Sequence, residues 1–183
     1  MSVTPEEAAQ VWAEADLLHS PEAVQAALDR MAVEIGERLR DRNPLVLCVL
    51  TGAIVATGQL LTRLDFPLEL DYLHATRYRG ETSGSDLHWL ARCRSGLFGR
   101  SVLIVDDILD EGVTLKAIRD YCLEQGAHEV LCAVLVEKHH QRKNGMAADF
   151  VGLTVEDRYV FGGGMDYKGF LRNAAGIYAV KGM

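Results

Sequence analysis

The sequence predicts an α/β fold: a mostly parallel central sheet flanked by helices. Two observations carry that expectation. The runs Leu45 to Leu50, Val102 to Val105 and Glu129 to Val136 are short, almost wholly apolar and not alternating, as strands covered on both faces are. Between them lie stretches whose apolar residues recur at helical spacing, and strands alternating with helices form parallel sheets through right-handed crossovers. The chain has 183 residues, enough for one domain, 1–183, with a full core.

Each element has its own signal. Residues 4 to 18 read as a helix, opened by a capping box of Thr4 and Glu7 with Pro5 at the first helical position. Ser20-Pro21 opens a second, with Val24, Leu28, Met31, Ile35 and Leu39 on one face and Asn43-Pro44 as its stop. After the Leu45–Leu50 strand, Thr51-Gly52-Ala53 is a tight turn into a helix from Ile54 to Leu64. Pro67 to His74 and Leu87 to Cys93 read as strands around 77–86, which is rich in glycine, serine and charge and reads as a solvated connection. Val102 to Val105 leads into a helix from Thr114 to Gln125, ended by Gly126. Glu129 to Val136, Phe150 to Val155, Tyr159 to Phe161 and Ile177 to Val180 are the remaining strands, with Gly162-Gly163-Gly164 as a flexible link.

The bulk composition excludes several classes. Net charge is -7, which does not invite nucleic acid or an anionic membrane. No apolar run approaches membrane-spanning length. Cys48, Cys93, Cys122 and Cys132 are scattered with no C-x-x-C pair, which argues against zinc or a disulfide framework and for a reducing, cytoplasmic setting.

The chemistry concentrates in Ser101 to Leu115, S-V-L-I-V-D-D-I-L-D-E-G-V-T-L. An apolar strand ends in Asp106 and Asp107, then Asp110, and Gly112 and Thr114 open a helix. Adjacent carboxylates at a strand's carboxyl end can accept from vicinal hydroxyls or hold hydrated Mg²⁺. Gly112 permits backbone N–H groups to converge on an anion; Thr114 adds a hydroxyl and is expected to cap the helix, whose N-terminus adds partial positive charge. The stretch therefore reads as a sugar-phosphate site. The Walker loop is excluded because G-x-x-x-x-G-K-[ST] is absent, and the EF-hand because the acids do not alternate. D-D-I-L-D also matches the acidic motif of prenyl diphosphate synthases, but a strand precedes it here and no second copy exists.

The same stretch resembles the phosphoribosyl-pyrophosphate (PRPP) signature of type I phosphoribosyltransferases. The order Lys138, Asp149-Phe150-Val151-Gly152, Tyr159-Val160, Met165-Asp166-Tyr167 and Phe170-Leu171-Arg172 further resembles the hypoxanthine-guanine branch. The resemblance implies the type I fold, with a small hood subdomain formed by the N- and C-terminal segments. It implies transfer of the phosphoribosyl group from PRPP to a 6-oxopurine with Mg²⁺, in a homodimer or homotetramer. Asp106 and Asp107 would hold the ribose hydroxyls, and Asp110, Glu111, Gly112, Val113 and Thr114 the 5′-phosphate. Lys138 would donate to the 6-oxo group, Tyr159 would stack on the base, and Val160 would meet its edge through backbone. Asp110 would exchange the proton on purine N7. Thr51, Gly52 and Arg172 would hold pyrophosphate, and Asp106, Asp107 and Asp166 the metal, Asp166 through a metal-bound water.

Two positions depart from the family pattern: many relatives carry lysine where this chain has Thr51 and Val113. Thr51 offers a hydroxyl and an N–H but no charge, which shifts pyrophosphate binding toward Arg172. The resemblance also recasts 77–86, with Arg77-Tyr78, as a mobile loop that closes over the reaction. A preference for xanthine, and an RNA-binding regulator on the same fold, stand as alternatives. The acidic balance and the pair Lys138 and Tyr159 argue against the regulator. Adjacent His139 and His140 read as a partly solvated turn rather than a metal site.

Overall fold

The computed structural model describes residues 3–77, 87–142 and 145–183. The larger sheet has six strands: β2 (Leu45–Leu50), β3 (Glu69–Arg77), β4 (Leu87–Ala91), β5 (Ser101–Leu109), β6 (Glu129–His139) and β7 (Phe150–Glu156). Their order is β4-β3-β2-β5-β6-β7, parallel except for antiparallel β3–β4. This is the α/β architecture expected.

The apolar runs do not alternate because both faces are covered. Val46, Leu103, Val105, Leu131 and Ala133 pack on one face with α2 (Pro21–Leu39) and α3 (Ile54–Leu61). Leu45, Leu47, Val102, Ile104, Val130 and Cys132 pack on the other with α4 (Val113–Glu124). All four cysteines are free, and burial pushes the thiols of Cys122 and Cys132 up to about 12, so they behave as core hydrophobes.

A second, antiparallel sheet of β1 (Asp16–His19), β9 (Ile177–Ala179) and β8 (Val160–Phe161) joins the two ends of the chain. Helix α1 (Pro5–Glu14) begins with the expected Thr4–Glu7 capping box, and Val11 and Trp12 pack with Phe161, Tyr167 and Leu171.

Three expectations need correction here. The first helix stops at Glu14, not residue 18, because residues 16 to 19 take ladder bonds from β9 instead, with Asp16 held by Arg158 at 2.6 Å. Strand β5 does not end before the acids. It runs through Asp106 and Asp107 to Leu109, kept extended by pairs such as Ile108 with Val136. The glycine run is a packed turn, not a flexible link: Gly162, Gly163 and Gly164 donate to Met165, Ala174 and Arg172 carbonyls at 2.8–3.0 Å. Gly164 has φ +111, and a Cβ there would lie 2.0 Å from the Gly52 carbonyl oxygen, so this turn seats directly on Thr51-Gly52. The loop read as a lid falls, from residue 78 to 86, outside the described residues.

Candidate active site

The carboxyl end of the parallel sheet opens into two adjoining hollows, where open α/β sheets place their ligands. The larger, about 590 Å³, is lined by Thr51, Gly52, the residues Asp106 to Leu115, Asp166 and Arg172, with His74 and Thr76 from β3. The smaller, about 290 Å³, is lined by Asp107, Ile108, Asp110, Lys138, Tyr159, Val160, Met165 and Asp166. Asp107, Ile108, Asp110 and Asp166 belong to both.

In the larger hollow Asp106 is buried, and its Oδ1 accepts the Asp107 backbone N–H at 2.9 Å. Burial, with the neighbouring Asp107 charge, holds the Asp106 carboxyl well above the usual carboxylate range, and burial also raises Asp107. The Arg172 guanidinium acts the other way on Asp107. The Asp107 carboxylate lies over the backbone of Gly52, where a Cβ would come within 1.8 Å of Oδ2. The Leu50–Thr51 peptide in the same turn is cis.

Gly112 is left-handed at φ 83 and serves as the N-cap of α4, with no side-chain cap bond. Thr114 therefore lies inside the first turn and does not cap the helix as expected; the glycine takes that place and no side chain caps the first amides. Arg172 donates from Nη1 to the Gly164 carbonyl at 2.8 Å, and its Nη2 pairs with Asp166 Oδ1 at 2.7 Å. Asp166 Oδ2 accepts the Gly169 N–H at 2.7 Å.

In the smaller hollow a donor stands beside an acceptor. Lys138 Nζ lies 3.1 Å from Asp110 Oδ2 and 3.9 Å from Asp157, and Asp157 is also paired with Arg142 at 2.9 Å. His140 Nε2 lies 2.6 Å from Asp110 Oδ1. Burial raises the Asp110 carboxyl, but hydrogen bonds from Lys138 and His140, with the Lys138 charge, outweigh it and leave the group below its ordinary value. Tyr159 meets Tyr167 edge to face at 5.6 Å, and Val160 is fixed in β8 against Ala179.

These features match known proteins. The phosphoribosyl transferase domain family matches residues 14–168. A hypoxanthine-guanine-xanthine phosphoribosyltransferase of Tritrichomonas foetus is 31% identical over 90% of this chain and 91% of its own length. The hypoxanthine-guanine phosphoribosyltransferase of Bacillus subtilis is 31% identical over 90% and 92%. The chain belongs to the phosphoribosyltransferase family. Among solved structures, a hypoxanthine phosphoribosyltransferase from Staphylococcus aureus superposes with a TM-score of 0.86 at 25% identity, covering 91% of each chain. A hypoxanthine-guanine-xanthine phosphoribosyltransferase gives 0.83 at 30% identity, covering 91% of this chain and 96% of its own.

In this phosphoribosyltransferase the site residues expected from sequence fall into the two hollows as two sets. Thr51, Gly52, Asp106, Glu111, Gly112, Val113, Thr114 and Arg172 line the larger alone, Lys138, Tyr159 and Val160 the smaller alone, and Asp107, Asp110 and Asp166 line both. His140 is the clear miss. Its side chain is 5% exposed and bound to Asp110, not part of a solvated turn. Its one signal was its place two residues beyond Lys138, where a strand running longer than expected carries it inward. His74 and Thr76 were missed because the second strand also runs on, to Arg77.

Asp110, His140 and Asp157 also offer ligand atoms within 4.8 Å of one another. The Lys138 ammonium sits among them and balances their charge. The hard oxygens of Asp106 and Asp107 are chemically better suited to a divalent cation.

Proposed function

We propose that this chain is a purine salvage enzyme that transfers the 5-phosphoribosyl group of PRPP to N9 of hypoxanthine or guanine, giving IMP or GMP and pyrophosphate. The observation that carries the reading is the pair Lys138 and Asp110. An ammonium that only donates lies 3.1 Å from a carboxylate held ionised. A 6-oxopurine presents the matching pair on one edge, the accepting 6-oxo group and the donating N7–H. Adenine would set its 6-amino group against Lys138, donor to donor, and a site of this kind rejects such an analogue by about 10⁴-fold or more.

In the larger hollow Asp106 and Asp107 accept from the ribose hydroxyls, and the amides of Gly112 to Thr114 take the 5′-phosphate. Arg172, with the Thr51-Gly52 turn, takes the pyrophosphate. As N9 bonds to C1′, the bond from C1′ to pyrophosphate oxygen breaks with its electron pair on the leaving group, and the N7 proton passes to Asp110 Oδ2. Tyr159 lies along the base and Val160 meets its edge.

Mg²⁺ fits the donor set. Two carboxylates raised by burial, Asp106 also by the charge of Asp107, suit a cation bound together with the sugar, and Mg²⁺ is usually held by one or two carboxylates plus substrate oxygens and waters. Asp166, with both oxygens engaged by Arg172 and Gly169, suits contact through a water. When bound, the metal neutralises charge on the leaving pyrophosphate. The small sheet of β1, β9 and β8 is the hood over the base, within one domain spanning 1–183. The enzyme works in the cytoplasm as a homodimer or homotetramer.

The test is a base panel with PRPP and Mg²⁺. We expect turnover of hypoxanthine and guanine, no measurable turnover of adenine, and loss of activity in excess chelator. Xanthine belongs in the panel because the Tritrichomonas relative is named for it. Adenine turned over as well as hypoxanthine would overturn the assignment of Lys138.

A further inference from the structure

His140 follows β6 and bonds the Asp110 oxygen that Lys138 does not. Nε2 lies 2.6 Å from Asp110 Oδ1. The other ring nitrogen is also engaged: Nδ1 accepts the backbone N–H of Arg142 at 3.1 Å. A ring nitrogen that accepts carries no proton, so the neutral ring has its proton on Nε2. That proton is donated to Oδ1. The two oxygens of Asp110 are thereby distinguished, Oδ1 toward the buried imidazole and Oδ2 toward Lys138 and the base pocket.

We propose that His140 is a positioning residue for the transfer: it fixes Asp110 through Oδ1 so that Oδ2 is presented to the purine N7–H. The inference rests on the proposed function and extends it to a residue outside the base-contacting set. Lys138 cannot supply this hold alone. Its ammonium is a compact charge with no preferred carboxylate geometry, and it also serves the 6-oxo group. It is shared as well, since Asp157 lies 3.9 Å from it. Without the imidazole, Asp110 and Asp157 would both turn to the same ammonium. The charged groups facing this pair are Lys138 on β6, Arg142 beyond it and Asp157 beyond β7, with Glu111 next to Asp110 along the chain. Arg142 binds Asp157 at 2.9 Å, which leaves Lys138 and His140 as the groups bonded to Asp110 among the described contacts.

The experiment compares wild type, His140→Leu and His140→Gln with hypoxanthine and PRPP each varied at saturation of the other, across pH. Wild-type turnover comes first; its absence would defeat the proposed function and leave the histidine to be judged by ring spectroscopy. The leucine variant should lose kcat by about tenfold to a hundredfold, the worth of one hydrogen bond to a charged group, with KM for PRPP unchanged. The acid limb of its kcat/KM for hypoxanthine should move to higher pH, because a carboxylate that loses a donor protonates more readily. The glutamine variant, whose amide donates but does not titrate, should recover most of kcat and return the limb toward wild type. A leucine variant with wild-type kcat and acid limb, while Asp110→Asn has lost turnover, would overturn the proposal. Equal losses in PRPP affinity and kcat would overturn it too, as the mark of a merely structural residue. Should the leucine variant not fold, nitrogen-15 shifts of the wild-type ring decide. The Nε2–H tautomer is expected, and the Nδ1–H tautomer refutes it.

Discussion

Gly52→Ala separates function from stability. A Cβ at position 52 would lie 1.8 Å from Asp107 Oδ2 and 2.5 Å from its Cγ, well inside contact. The obstructing group is the end of a short side chain, which can rotate away, so the fold survives at a cost of about 1 kcal/mol. The carboxylate, however, leaves the place where the ribose hydroxyls would meet it. Losing one charge-assisted hydrogen bond is worth about 1.5–3 kcal/mol, or roughly tenfold to a hundredfold in kcat/KM for PRPP. Gly164→Ala is the contrasting control. There the Cβ would meet the Gly52 carbonyl oxygen at 2.0 Å, in backbone that cannot turn aside, at a φ of +111 that side chains rarely adopt. That variant should lose on the order of 2–4 kcal/mol of stability. Thermal unfolding and PRPP-dependent kinetics on both variants test the pair. A Gly52→Ala enzyme with wild-type kcat/KM for PRPP would refute the placement of Asp107. So would a stability loss as large as that of Gly164→Ala.

Three more outcomes follow from the same geometry. Asp110→Asn should lower kcat by about 10²–10⁴-fold while calorimetric PRPP binding holds, as expected of a proton acceptor; full kcat would exclude that role. Lys138→Gln should cut kcat/KM for hypoxanthine and narrow the gap to adenine, since its amide can both donate and accept; an unchanged ratio would clear Lys138 of specificity. Asp106→Asn should stabilise the ligand-free protein at neutral pH by on the order of 1 kcal/mol while abolishing PRPP binding. Its sign follows from the raised Asp106 carboxyl: the folded state holds that proton more tightly than the unfolded chain, so ionisation opposes folding. The variant's advantage in Tm should therefore shrink as pH falls through the raised folded value toward the ordinary carboxylate range. A variant less stable than wild type at pH 8 would contradict it.

What was legible in the sequence was what period and punctuation encode. Val46, Leu103 and Leu131 face one layer of helices and Leu45, Ile104 and Cys132 the other, so the buried strands read as unbroken apolar runs. The Thr4–Glu7 cap and Ser20-Pro21 placed two helix starts because those bonds are local. Elements whose reason lies far along the chain were not legible. Residues 16 to 19 carry no strand signal of their own; they are extended because β9, some 160 residues on, offers them a ladder. Strand β5 outruns its apolar stretch because β6 lies alongside it. The glycine run looked loose because its partners, Ala174, Arg172 and Gly52, are distant in sequence. His140 was missed for the same reason: its burial depends on Asp110, thirty residues earlier.

The three carboxylates of Asp106, Asp107 and Asp110 lie within five positions, yet their surroundings drive them in opposite directions. Burial, with mutual repulsion, raises Asp106, and burial raises Asp107, while Lys138 and His140 bring Asp110 down. Groups pushed apart in this way mark different chemical tasks. Asp110 is ionised without help from ligand, as an acceptor for the N7 proton must be. Asp106 and Asp107 are costly when charged without a partner, and a cation with sugar hydroxyls would relieve that cost. Binding of PRPP with Mg²⁺ should then release protons at a pH near the raised carboxyl values, whereas binding to the PRPP complex of a 6-oxopurine with carbon in place of N9, which keeps O6 and N7–H but does not react, should not. Calorimetry in two buffers of different ionisation enthalpy separates these steps. Proton release on adding the base, with none on adding PRPP, would reverse the assignment of the three acids.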